Sequence, residues 1–161
     1  MPDLPGLADF HGRAFHTARW PQDANVRGDR VGLIGTGASA IQTVPAIVDQ
    51  VAQLTLFQRT PPWVVPKADG AISPGLQNLY ARWPALQRLV RGLIYAQHEM
   101  RALGFTRYPG VLRALGKLVI LHMKRQVRAP ALREQLTPRY VLGCKRILLA
   151  NDYYPALQKP N

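Results

Sequence analysis

The sequence predicts an α/β fold, a short parallel sheet interrupted by a block of helices. Three observations predict it. RVGLIGTG, Arg30 to Gly37, is an apolar run entering a glycine turn, the form of a buried parallel strand. Ile41, Val44, Ile47, Val48 and Val51 then follow at spacings of three, three, one and three, which places them on one helical face. LTLFQRT, Leu54 to Thr60, supplies a second strand, and the order strand, helix, strand is that of a parallel βαβ unit.

Length and composition suit that fold. A chain of 161 residues is sized for one domain with its own core. Apolar residues make up 47% and charged residues 19%, a globular balance that excludes wholesale disorder. The net charge of +12 is unevenly spread. Residues 1–81 hold six basic and six acidic side chains, residues 82–139 twelve and two, and residues 140–161 three and one. The excess therefore belongs to one segment. It reads as the solvated face of amphipathic helices, so nucleic acid is not an expected partner and peripheral membrane contact is the lesser alternative. Cys144, the one cysteine, has no intramolecular disulfide partner. MPDLPGLADF has neither the basic nor the apolar region of a secretory signal, and the apolar run Leu118 to Met123 is too short to span a bilayer. A soluble, cytoplasmic chain without a metal site is expected.

Along the chain, residues 1–29 read as an ordered connector, rich in Pro, Asp and Gly. Residues 30–70 hold the βαβ unit and then PPWVVPKADG, where prolines favour a loop or an edge segment. Residues 71–136 form the basic helical insertion, with two or three helices. One stripe is Leu86, Leu89, Val90 and Leu93; the other is Val111, Leu115, Leu118, Val119 and His122, with Gly104 and Tyr108-Pro109-Gly110 between them. Residues 137–161 return to mixed loop and strand and end at QKPN with no capping or terminal element.

The glycine turn carries the chemistry. Gly35-Thr36-Gly37-Ala38-Ser39-Ala40 fits G-x-G-x-x-G/A after a strand and at the opening of a helix. Gly35 suits the tight turn, Gly37 admits a pyrophosphate to the backbone, and Ala40 lets helix and strand pack closely. The helix N-terminus adds N–H groups and the positive end of its dipole. An NAD site wants a carboxylate at the end of the second strand; here Gln58-Arg59-Thr60 stands there. Arg59 offers a fork for a phosphate and Thr60 a hydroxyl. These features favour NADPH over NADH and a partial Rossmann-like NADPH-binding domain with an α-helical insertion.

One further run precedes the first strand. FHGRAFHTARWP places Phe10, Gly12, His16, Trp20 and Pro21 in the pattern F-x-G-x-x-x-H-x-x-x-W-P. Together with the glycine turn and QRTP, it resembles the class B flavoprotein monooxygenases, and Trp20 leans toward their Baeyer–Villiger type. The resemblance reaches Gly143-Cys144-Lys145-Arg146, Asn151 and Tyr153-Tyr154. It implies that Phe10 to Pro21 tie an FAD domain to an NADPH domain and that Lys145 joins Arg59 at the 2′-phosphate. It also implies that Arg146 is a catalytic residue near flavin and nicotinamide, stabilising developing negative charge. NADPH and FAD are the implied cofactors, with O2 and a ketone or other oxidisable small molecule as substrates and an ester or lactone as product.

The family also carries a glycine motif for FAD far upstream of this one, whereas nine residues precede Phe10 here. The resemblance therefore implies a central piece of a larger enzyme, inactive alone and completed by an FAD domain. A flavin-containing N- or S-monooxygenase piece, or a non-catalytic dinucleotide-binding module, are the alternatives.

Overall fold

The computed structural model describes residues 5–67 and 69–161. It is a mixed α/β structure with small parallel sheets and many helices, divided into two compact units. One comprises the residues up to Pro61 together with Asp152–Asn161; the other is Pro62–Asn151.

The first unit opens with two short 3-10 turns, Leu7–Asp9 and Thr17–Arg19, and then forms β1 (Arg30–Ile34), α1 (Ala40–Ile47) and β2 (Gln53–Phe57). β1 and β2 pair in parallel, with Val31 opposite Leu54 and Leu33 opposite Leu56. On α1, Ala40, Ile41, Val44 and Ile47 are buried, and Val48 and Val51 extend that apolar face beyond the helix. The spacing read from the sequence thus marks the buried face.

The strands differ from expectation in two respects. β2 ends at Phe57, so Gln58, Arg59 and Thr60 lie in the loop that follows. No residue of β1 or β2 is buried: half-buried and exposed positions alternate, and Ile34 and Phe57 are 69% and 55% exposed. Two described strands have one half-covered face and one bare face, which is alternation rather than the two-sided burial of a larger parallel sheet.

The unit closes with α6 (Tyr153–Ala156), which packs on α1 and buries Tyr153, Tyr154 and Ala156. Asn161 corrects the reading of the C-terminus. Its Nδ2 donates to the carbonyls of Val48 at 2.7 Å and Val51 at 2.9 Å, and its own carbonyl accepts from the Leu54 N–H at 2.8 Å. The last residue is a cap for the end of the α1 segment, bonded to carbonyls that no helical N–H reaches.

The second unit runs β3 (Val64–Val65), α2 (Pro74–Arg82), α3 (Pro84–Thr106), α4 (Pro109–Gln126), α5 (Pro130–Leu136) and β4 (Leu148–Leu149). Each of α2 to α5 begins at a proline. The missing N–H is of no consequence in a first helical turn, and the fixed φ is already helical. α3 continues through position 104, and the break falls at residues 107 and 108.

β3 pairs in parallel with β4, and the indole of Trp63, just before β3, anchors a core with Val119 and Leu142. The buried stripe of α4 is Leu112, Gly116, Val119 and Met123, at spacings of four, three and four. Of the expected stripe, Val119 is buried and His122 half-buried, but Val111, Leu115 and Leu118 are exposed, as are Leu89 and Leu93 on α3. α4 carries two adjacent apolar stripes, and position 116 decides between them. A Cβ there would lie 3.3 Å from the Trp63 ring, so glycine lets the helix approach the indole on that side.

Candidate functional site

Backbone conformation builds the glycine turn. Gly35 sits at φ +102°, where a side chain is strained, and its N–H donates to the Phe57 carbonyl at 2.9 Å. That bond joins the end of β1 to the end of β2. Thr36 adds a second tie, its hydroxyl donating to the Thr60 carbonyl at 3.2 Å. Gly37 faces open space, with no atom within 4 Å of where a Cβ would stand. Ser39 accepts the N–H groups of Gln42 and Thr43 through its carbonyl, and Ala40 is buried at the first turn of α1. The N–H groups of Gly37, Ala38 and Ser39 precede any helical carbonyl they could meet. Arg59 is exposed in the loop held by the Thr36–Thr60 bond. The turn thus presents backbone N–H groups, a helix N-terminus and a guanidinium within one unit, a chemistry suited to anions.

Lys145 and Arg146 belong to the second unit and are both exposed. Their loop begins with a turn in which the Cys144 N–H donates to the Val141 carbonyl at 3.1 Å and Gly143 takes φ +98°. It ends at β4, where the Asn151 side chain accepts from the Lys67 N–H and donates to the Lys67 carbonyl, both at 2.9 Å. An open depression of about 340 Å³ is lined by Gly143, Cys144, Lys145, Arg146 and Ile147. The Lys145 ammonium lies 4.8 Å from the centroid of the Tyr140 ring. Burial pushes the Tyr140 phenol above its ordinary range; the Trp63 backbone partly offsets this and the Cys144 thiol adds to it.

The run ahead of β1 has its own geometry. The Phe10 ring lies across Gly12, where an added Cβ would come within 2.5 Å of it, which accounts for the two-residue step between them. His16 Nδ1 accepts from the Ala18 N–H at 3.0 Å and caps the second 3-10 turn. Trp20 stands edge-on to Phe15 at 4.9 Å and 74°, and the Pro21 carbonyl accepts from the Ala24 N–H at 3.1 Å. Phe15, His16, Ala18 and Arg19 line a cavity of about 460 Å³.

Sequence reading overlooked Phe15, Trp63 and Tyr140. Phe15 lies within the run from Phe10 to Pro21 and carries an aromatic signal. Trp63 and Tyr140 stand 77 positions apart, and nothing in their local sequence joins them.

No family model matches the chain. A Baeyer-Villiger monooxygenase from Streptomyces coelicolor is 50% identical over 161 residues, which is 100% of this chain and 31% of that protein. The solved structure of oxidized steroid monooxygenase bound to NADP matches with a TM-score of 0.81 at 29% identity, over 100% of this chain and 37% of that one. OTEMO in complex with FAD and NADP matches with a TM-score of 0.77 at 26% identity, over 100% and 38%. The chain therefore spans about a third of the length of the curated relatives it matches. Over its own full length, this sequence is homologous to a segment of the Baeyer–Villiger monooxygenases.

Proposed function

We propose that this chain is the NADPH-binding portion of an FAD-dependent monooxygenase that oxidises ketones to esters or lactones, with its first unit part of a Rossmann-like domain. The observation that carries the proposal is the glycine turn between parallel strands, bonded through Thr36 to the loop that presents Arg59. The residues present fit the cofactor. Gly37 leaves room beside the backbone for a pyrophosphate, and the α1 N-terminus faces it with N–H groups. The loop after β2 offers Arg59 and Thr60 where a carboxylate would repel a 2′-phosphate.

Lys145 is assigned a contact to that phosphate. Arg146, through its guanidinium, is assigned stabilisation of negative charge developing near the nicotinamide. Phe10 to Pro21 are assigned the connection to an FAD domain. When bound, NADPH supplies hydride to FAD, and the reduced flavin with O2 supplies the oxidising equivalent for the ketone.

Titration of the chain with NADPH and NADH tests the reading. NADPH is expected to bind about tenfold or more tighter than NADH, since a charged hydrogen bond to the phosphate is present only in the first. Arg59→Gln is expected to remove most of that difference. Equal affinity for the two dinucleotides, or no binding of either, would overturn the proposal.

A further inference from the structure

Lys145 is an exposed lysine on a long flexible stem, yet a phosphate contact needs its ammonium in one place. Its described partner is an aromatic ring rather than a carboxylate. Among the described residues the ion pairs are Lys67 with Asp69, Arg139 with Glu134 and Lys159 with Asp49, and none includes Lys145. The difference matters chemically. A carboxylate would neutralise the ammonium and compete with an incoming phosphate. A π face orients the cation and leaves its charge and most of its N–H donors available.

The ring is itself held. Tyr140 meets Trp63 edge-on, with centroids 6.3 Å apart and planes at 83°, and the Trp63 indole N–H donates to the Tyr140 carbonyl at 3.0 Å. Trp63 is 6% exposed, packed with Val119 and Leu142 and against Gly116 of α4. A continuous line of contacts therefore runs from the helical core through Trp63 and Tyr140 to the ammonium of Lys145.

Resting on the NADPH-binding reading above, we propose that Tyr140 is a positioning residue. It holds the Lys145 ammonium over its ring for the 2′-phosphate of NADPH and so contributes to discrimination against NADH. Tyr140 acts through Lys145 and makes no cofactor contact of its own.

The experiment measures NADPH and NADH dissociation constants for the chain and for Tyr140→Phe, Tyr140→Leu, Lys145→Ala and the double variant Tyr140→Leu/Lys145→Ala. Tyr140→Phe keeps a π face and is expected to match the parent. Tyr140→Leu is expected to weaken NADPH about two- to fivefold, the range of an exposed cation–π contact, and to leave NADH unchanged. In the Lys145→Ala background it is expected to add nothing, because the two residues act as one unit.

In the free parent chain, the Lys145 ε-methylene protons are expected to be shifted upfield by the ring and to return to ordinary values in Tyr140→Leu. Loss of NADPH affinity in Lys145→Ala but not in Tyr140→Leu would overturn the positioning role and leave the binding reading intact. Equal weakening of NADH and NADPH by Tyr140→Leu would overturn it too, as would an unshifted Lys145 methylene in the parent. Failure of the parent to bind NADPH would overturn the binding reading, and the positioning role with it.

Discussion

The two units offer their candidate anion contacts in physically different ways. In the first, the contact surface is mostly main chain: a glycine at φ +102°, the opening of α1 and two hydrogen bonds that tie the strand ends together. In the second it is side chain: Lys145 and Arg146 on an exposed loop, with one aromatic ring behind the lysine. Main-chain sites are specified by conformation, so they tolerate side-chain change and fail when a special backbone angle is lost. Side-chain sites depend on packing behind the loop and fail when that packing is removed.

The largest effect that separates the two should come from Trp63. Truncation by Trp63→Ala removes the ring at the centre of the second unit and is expected to cost about 3–5 kcal/mol in denaturant unfolding. A loss below about 1 kcal/mol would show that this core does not support the Lys145 loop.

Alkaline pH should act on the first unit. Burial pushes the Tyr153 phenol up to about 12 from its ordinary 10.0, and its hydroxyl has no hydrogen-bond partner among the described residues. The folded state therefore favours the neutral phenol. The resulting stability is fully present below pH 10 and is lost as pH rises toward 12, by about 2–3 kcal/mol. A pH series of unfolding curves should show that loss in the parent and not in Tyr153→Phe. Identical pH dependence in both would contradict the assignment.

Gly35→Ala tests the backbone-built turn, with an expected loss of about 1–3 kcal/mol from strain at a positive φ. Gly37→Ala is the informative comparison: its Cβ enters open space, so it should leave stability nearly unchanged while weakening NADPH. The smallest expected effect is at the terminus. Asn161→Ala leaves the Val48 and Val51 carbonyls without their side-chain donor, at about 1 kcal/mol. Calorimetric melting of these variants would rank them, and an Asn161→Ala loss larger than that of Gly35→Ala would invert the comparison.

The same contrast explains what could be read in advance. The βαβ unit was legible because its determinants are local: Ile41, Val44 and Ile47 recur at helical spacing, and Gly35 and Gly37 mark a turn. The α4 stripe was read correctly at Val119 and wrongly at Val111, Leu115 and Leu118, which are as apolar as the buried Leu112 and Met123. Periodicity identifies a helix with two apolar flanks but carries no record of which flank meets Trp63. The terminal QKPN looked featureless because Asn161 finds its partners 110 and 113 residues away. The prolines that open α2 to α5 were a local signal for four helix starts, and they were in plain sight.

By itself, then, the sequence determined the parallel unit, the glycine turn, the cation that follows the second strand and the spacing of the run from Phe10 to Pro21. Each is written within a few neighbouring residues, and the full-length homology to a segment of Baeyer–Villiger monooxygenases agrees with them. Only the tertiary structure decided which face of α4 is buried, that Thr36 ties the turn to Thr60, that Asn161 caps the α1 segment, and that Trp63 and Tyr140 stand behind Lys145. These depend on contacts between residues far apart in the chain, where shape and hydrogen-bond geometry select among partners that composition and periodicity leave equivalent.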